Sequence, residues 1–292
     1  MPRISKNART ESLIEALPYI QKYRGQLFVI KYGGSAMEDE QVVERLLRDV
    51  VFLEAVGINP VLIHGGGKAI TSRLRDAEIK TRFVNGLRVT CEQTIQIVED
   101  VLDRAINPKI VETLNEFGGK AVGIPGKTVF EVKKLPPQID EQGQSVDLGF
   151  VGEVIGVTLD AIQQAVNSET VPVISPLGRD ASGAAYNINA DIAAGAVAAA
   201  LGAAKMIYLS DVPGIMRDPK QPDSLISTLT TMDIRNLVEE GVIAGGMIPK
   251  VQSAMRAVEQ GVQKVHFIDG RIQHSLLLEV FTNSGVGTEI LA

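Results

Sequence analysis

Cysteine is nearly absent from the sequence and tryptophan is missing altogether. Cys91 stands alone among 292 residues, so no internal disulfide can close and no cysteine-rich zinc site can be built. A reducing, cytoplasmic compartment is expected. Aromatic residues make up only 4%, too few for base-stacking platforms. Basic side chains are outnumbered, 29 Lys and Arg against 35 Asp and Glu, for a net charge of −6. That balance argues against a surface built to grip nucleic-acid phosphate, leaving room only for a local basic pocket. Long apolar runs are lacking too. The longest uncharged one, 192–204, is mostly Ala and Gly and falls short of the ~20 residues that span a bilayer. The basic start, Met1 to Arg9, is followed by no apolar signal region. His64, His266 and His274 are scattered without metal-ligand spacing, and no nucleophile elbow, Cys-His pairing or HExxH is present. A soluble protein that engages neither nucleic acid nor membrane, with no metal site of its own, is expected.

What the sequence does have is a hydrophobic content of 45% arranged in a regular alternation. Leu27-Phe28-Val29-Ile30 and Pro60-Val61-Leu62-Ile63 are compact apolar runs, and each is followed by helical spacing, the first over 39–55. Further strands are predicted at 121–124, 171–174, 206–209 and 265–268. Further helices are predicted at 94–117, kinked by Pro108, and at 159–166, 192–201, 232–240 and 249–259. Continuous apolar strands alternating with helices imply a parallel sheet covered on both faces. Short alternating pieces and Gly/Pro loops at 124–157, and again at 179–186, read as inserted antiparallel hairpins. The fold class is α/β: an open, mainly parallel sheet sandwiched between helices, with inserted β-hairpins. No flexible linker marks the boundary near 201–205, so two lobes should share one sheet or a tight interface. Upstream, Ser12-Leu13-Ile14-Glu15 has the form of a capping box, and Leu13, Ile14, Leu17 and Ile20 recur at helical spacing. A short amphipathic helix is expected there, with an apolar stripe that needs either the body of this chain or a second copy.

Glycine marks the candidate sites. Residues 121–128 match a relaxed P-loop, but such a loop must open a helix, and here strand-forming residues follow while Pro125 removes a donor; the match is a decoy. Gly33-Gly34 and Gly65-Gly66-Gly67 fall at the carboxyl ends of predicted strands, where open α/β sheets bind ligands. Their N–H groups can approach an anion closely, although tight turns alone would also explain glycine there. Lys31 precedes one pair and Lys250 follows Gly245-Gly246, so two cations can converge on phosphate. Asn187-Ile188-Asn189-Ala190-Asp191 opens the Ala-rich helix and reads equally as a set of N-caps. Arg88, in the turn-like Asn85–Thr90 segment, suits either a carboxylate ligand or a surface ion pair.

Seven segments in order carry a resemblance to the amino acid kinase family over nearly the whole chain. They are Lys31-Tyr32-Gly33-Gly34, His64-Gly65-Gly66-Gly67, Asn85 to Thr90, Phe150 to Val154, Tyr186 to Asp191, Ser210-Asp211-Val212-Pro213-Gly214 and Gly245 to Lys250. Within that family the chain resembles the arginine-inhibited, hexameric branch that phosphorylates the γ-carboxylate of N-acetyl-L-glutamate with ATP in arginine biosynthesis. The resemblance implies an interlacing helix at 1–25, an acceptor-binding and dimerisation lobe at 26–202 and an ATP-binding lobe at 203–292. It implies catalytic roles for Lys31 and Lys250, oriented by Asp191. Phosphate would be held by Gly33, Gly34 and Gly65, and the acceptor by Gly66, Gly67, Arg88 and Asn187. ATP would lie against Asp211, Val212, Pro213, Gly214, Ile215 and Met216, and against Val242, Ile243 and Ala244, with Mg2+ arriving on the nucleotide. Tyr19, Lys205, His266, Glu279 and Gly285 would form an arginine pocket. The PII signalling protein is a partner that this branch allows. Lys68 stands where relatives often carry Pro, and the hairpin at 123–129 looks short. A kinase of carrier-bound aminoadipate or of glutamate, and a non-catalytic arginine sensor, are the competing readings. The sensor predicts loss of Lys31, Lys250 or Asp191, and all three are present. A fused acetyltransferase, as in related synthases, is not expected.

Overall fold

The computed structural model describes residues 6–33, 39–282 and 285–292. A first helix, α1 (Lys6–Tyr23), leads into β1 (Leu27–Tyr32), α2 (Glu40–Ala55), β2 (Asn59–His64) and α3 (Gly67–Asp76). The hairpin of β3 (Phe83–Val84) and β4 (Leu87–Arg88) precedes α4 (Glu92–Glu99), a π-helical stretch (Asp100–Ile106), α5 (Asn107–Glu116) and β5 (Ala121–Ile124). Next come β6 (Phe130–Lys134), the pair β7 (Gln138–Ile139) and β8 (Ser145–Val146), β9 (Gly152–Val157), α6 (Asp160–Asn167) and β10 (Val171–Ile174). After β11 (Leu177–Arg179) and β12 (Ala185–Asn187) follow α7 (Ala190–Ala200), β13 (Lys205–Ser210), β14 (Thr228–Thr230) and α8 (Thr231–Glu239). Last are α9 (Met247–Glu259), β15 (Lys264–Asp269), α10 (Ser275–Phe281) and β16 (Thr288–Leu291).

Eight strands form one sheet in the order β14-β16-β15-β13-β1-β2-β10-β5. Every pairing in it is parallel except β15 with β16. The sheet runs without a break from β1 to β13, so residues from both halves of the chain share one layer. Successive side chains point to opposite faces. Val29, Val61, Ile63, Met206 and Tyr208 therefore enter one core with α7 and α9, while Phe28, Ile30, Tyr32, Leu62 and Ile207 enter the other with α2, α5 and α10. Each fully buried aliphatic side chain contributes about 1.5–3 kcal/mol, which is why these strands read as unbroken apolar runs. A four-stranded sheet, β12-β11-β6-β9, carries the inserted hairpins.

Two helix expectations need correction. Helix α1 does not start at Ser12 but already runs from Lys6. Leu13, Ile14 and Leu17 are exposed at 68%, 63% and 44%, while Tyr19, Ile20 and Tyr23 pack on the core. The expected kink at Pro108 lies ahead of the proline. Pro108 sits in the first turn of α5, which runs on directly from helical residues, so its ring and missing N–H disturb the turn ahead of it. The chain before it widens into seven π-helical residues, with the Asn107 N–H reaching the Leu102 carbonyl five residues back. The P-loop decoy is a 3-10 turn (Gly126–Thr128) followed by β6, and Lys127 is ion-paired with Glu99.

Candidate active site

A cleft of about 910 Å³ opens along the carboxyl ends of β1 and β2. Its lining includes Lys31, Gly65, Gly66, Gly67, Lys68, Arg88, Asn187 and Asp191. Lys31 lies on the central strand between Ile63 and Tyr208 in register. Its side chain crosses to α7, where Nζ meets Asp191 Oδ1 at 2.9 Å. Asn189 takes the capping duty that the sequence left open: its Oδ1 accepts from the Asp191 and Ile192 N–H groups at 2.8 and 3.3 Å. The Asp191 carboxylate is thereby left for Lys31. Gly33 makes room for this lysine, since a β-carbon there would come within 3.0 Å of Lys31 Nζ. Gly34 lies outside the described residues.

The triple glycine bends from β2 into α3, with Gly66 at the N-cap position and no side chain capping that helix. Its leading N–H groups carry the positive end of the helix dipole. A β-carbon on Gly66 would meet Leu102 Cδ2 at 2.6 Å and Ile106 Cδ1 at 2.8 Å, both on the π-helical stretch. The widened helix thus presses on the glycine turn and leaves no space for a side chain. Arg88 closes the other end. Its Nη2 donates to the Gly67 carbonyl at 2.8 Å and to Thr71 Oγ1 at 2.9 Å, and the guanidinium lies 4.7 Å over the Phe83 ring. Nη1 is buried without a hydrogen-bond partner among the described residues. Burial lowers the Arg88 pKa, but a guanidinium remains charged, so this unpaired N–H calls for an anionic acceptor.

Lys250 lies outside the lining of this cleft. It is half-buried in the first turn of α9. One turn further on, Ser253 Oγ donates to the Asp191 carbonyl at 3.0 Å and receives the Tyr208 hydroxyl at 2.9 Å. That bond ties the start of α9 to the start of α7. The segment 211–216 leaves the carboxyl end of β13. Gly214, at φ 148°, is pressed against Thr288, whose Oγ1 accepts from the Ile215 N–H at 2.8 Å. The Ile243 N–H bonds the Leu237 carbonyl at 3.0 Å, and Ile215 and Ile243 enter the same core. Among the described residues, no group of three His, Cys, Asp or Glu side chains is arranged to hold a metal ion. No described helix is long and apolar enough to cross a membrane.

A second polar cluster lies toward the amino ends of the strands. Lys205 Nζ stands 2.9 Å from His266 Nε2, and His266 Nδ1 stands 2.7 Å from Glu279 Oε1. Glu279 Oε2 accepts from the Val286 and Gly287 N–H groups at 2.7 and 3.1 Å, and Gly285 is packed against the same carboxylate. Burial works against the Glu279 anion, but these hydrogen bonds outweigh it and hold its pKa below the ordinary carboxylate value. Burial pushes Lys205 down to about 8. Tyr23, which sequence reasoning missed, supplies the ring beneath Lys205, 5.3 Å away; its place at the end of an apolar helical stripe was the available signal. Tyr19 packs on the neighbouring core. Sequence reasoning also missed Thr71, which aims Arg88, and Asn107, which bonds His64.

Residues 26–269 match the amino acid kinase family. The chain is 49% identical to the acetylglutamate kinase of Akkermansia muciniphila, over 96% of this chain and 94% of that one. It is 48% identical to the acetylglutamate kinase of Methanocaldococcus jannaschii, over 99% and 98%. Among solved structures it superposes on N-acetylglutamate synthase from Neisseria gonorrhoeae, complexed with coenzyme A and N-acetyl-glutamate, with a TM-score of 0.84 and 26% identity. That alignment covers 97% of this chain but 63% of the synthase. With a parallel sheet holding Lys31, the glycine turns and Asp191 at one edge, and with the profile match spanning both halves, the chain belongs to the amino acid kinase family.

Proposed function

We propose that this chain transfers the γ-phosphoryl group of ATP to the γ-carboxylate of N-acetyl-L-glutamate. The observation that carries this reading is the pairing, in one cleft, of the Lys31–Asp191 ion pair with a buried, unpartnered Arg88 N–H. The acceptor bears two carboxylates. Arg88 and Asn187 suit the α-carboxylate end, leaving the γ-carboxylate beside Lys31 and the glycine turns. That group, with a reference pKa of about 4.3, is already an anion at neutral pH, so no general base is needed. One of its oxygens forms the new bond to phosphorus as the bond to the bridging oxygen of ADP breaks. The barrier is repulsion between anions, which ammonium groups and aligned N–H dipoles lower. Asp191 acts by orienting Lys31 rather than by taking a proton. Lys250 approaches from α9, which Ser253 anchors to Asp191, and 211–216 with 242–244 hold the nucleotide. The absence of a carboxylate cluster among the described residues suits Mg2+ held chiefly by the nucleotide phosphates and water.

The reading extends to regulation. Lys205, His266, Glu279 and Gly285 surround a carboxylate of the kind a guanidinium ligand seeks, which supports arginine as a feedback inhibitor. The exposed stripe of Leu13, Ile14 and Leu17 supports α1 pairing with a second copy in a cytoplasmic homohexamer. Deleting residues 1–25 should then abolish the hexamer; an unchanged oligomer would remove this part. The main reading is tested by ADP release with N-acetylglutamate, glutamate, aspartate and carrier-bound aminoadipate, each with and without arginine. Turnover specific to N-acetylglutamate is expected. Equal or greater turnover with another acceptor would overturn it.

A further inference from the structure

His64 is fully buried beneath the cleft, and the reaction described above makes no use of it. Nδ1 lies 2.9 Å from the Gly65 carbonyl oxygen, and Nε2 lies 3.2 Å from the side-chain nitrogen of Asn107. A carbonyl can only accept and an amide NH2 can only donate. The ring is therefore neutral, with its proton on Nδ1. Asn107 is fixed in turn, because the same NH2 donates to the Val173 carbonyl on β10 at 2.9 Å. That bond settles which end of the amide faces the imidazole. Asn107 is also the first residue after the π-helical stretch, whose side chains press on Gly66.

The Gly65–Gly66 peptide is trans, so its carbonyl and its N–H point in opposite directions. Drawing the Gly65 carbonyl to the imidazole turns the Gly66 N–H away from the buried ring, in a turn whose three glycines all line the cleft. We propose that His64 and Asn107 are positioning residues: Asn107 sets the imidazole tautomer, and the Nδ1–H so fixed clamps the Gly65 carbonyl and aims the glycine N–H groups at the transferring phosphoryl group. The proposal deepens the kinase reading and rests on it. Burial holds the His64 pKa near 4, which keeps Nε2 an acceptor for Asn107 at neutral pH.

Two readouts test it. In the wild-type protein carrying 15N-labelled histidine, long-range proton–nitrogen correlation should find the His64 proton on Nδ1, with His64→Asn assigning the signal. A proton on Nε2, or a charged ring at pH 7, overturns the proposal. This readout needs no substrate, so it fails or succeeds independently of the acceptor assay that tests the kinase reading. The second readout is kinetic. His64→Asn keeps a donor where Nδ1 stood, whereas His64→Gln keeps only the Nε2 end. Turnover should fall by about 10-fold or less in the first and by about 100-fold in the second, with KM for N-acetylglutamate nearly unchanged in both. Equal losses, or the reverse order, overturn it. Asn107→Asp accepts rather than donates and draws a proton onto Nε2; where the same correlation shows that Nδ1 has lost its proton, turnover should fall about 100-fold alone but little further in the His64→Asn background. Additive losses would contradict the tautomer mechanism. Should Asn107→Asp fail to fold, the two His64 variants decide.

Discussion

Two buried histidines stand toward opposite ends of the same sheet and do different things with the same tautomer. His64, at the carboxyl end of β2, is hydrogen-bonded to uncharged groups, the Gly65 carbonyl and the Asn107 amide. His266, in β15 toward the amino ends, bridges the Lys205 ammonium and the Glu279 carboxylate. A charged Lys205 makes Nε2 an acceptor, so here too the proton sits on Nδ1. Burial lowers both pKa values, to about 4 for His64, while the Glu279 bond opposes the fall at His266. The lesson lies in the partners. Neutral neighbours fix the ring through uncharged hydrogen bonds alone, whereas a cation and an anion hold it between opposite charges.

The comparison can be broken or sharpened by substitution. The largest effect is expected at the cleft itself. Lys31→Ala should lower turnover by about 10²–10³-fold while the thermal midpoint stays close to wild type; near-normal turnover would remove the lysine from the chemistry. Next is Gly66→Ala, whose β-carbon meets Leu102 and Ile106. It should cost about 1–3 kcal/mol of stability and about 100-fold in turnover, measured by denaturant unfolding and initial rates. Gly67→Ala, with open space at that position, should leave stability nearly unchanged. At the other end of the sheet, Glu279→Gln should weaken arginine inhibition by about 10-fold, a loss equivalent to about 1.4 kcal/mol, with uninhibited turnover unaltered. Retained inhibition would detach this cluster from arginine.

A last effect is on pH dependence. The unfolded His64 titrates near its ordinary value, so between about pH 4 and 6.5 the unfolded chain binds the extra proton. Stability from this group therefore rises with pH across that window and is lost on acidification, by about 3 kcal/mol in all. Asp49, raised to about 6 by burial against the His274 hydrogen bond, acts with the opposite sign. The difference between wild type and His64→Asn cancels it. The variant should show a shallower rise in unfolding midpoint from pH 4 to 6.5; parallel curves would mean that His64 does not stay neutral in the folded chain.

Much of this was legible in the sequence because strand burial on both faces and glycine at strand ends leave strong local signals. The runs at 27–30, 60–63, 121–124 and 171–174 fall within sheet strands. Lys31 and Asp191, far apart in the chain, meet as the family resemblance implied. What stayed hidden depends on three-dimensional neighbours. Pro108 announced a disturbed helix but not its form, because whether the turn before a proline kinks, breaks or widens depends on its packing. Asn107 reads as an ordinary residue beside a proline, and only the fold brings it to His64. The start of α1 was misplaced because a capping-box pattern also occurs inside helices; β14 has only three residues, and β16 alternates polar and apolar side chains instead of forming an apolar run.

Hydroxylamine trapping of the product is the most direct measurement. With ATP, Mg2+ and N-acetylglutamate, an acyl phosphate should form and yield a γ-hydroxamate in step with ADP, and both should vanish together in Lys31→Ala. ADP release without hydroxamate, or hydroxamate formed equally from glutamate, would contradict phosphoryl transfer to the γ-carboxylate of N-acetylglutamate.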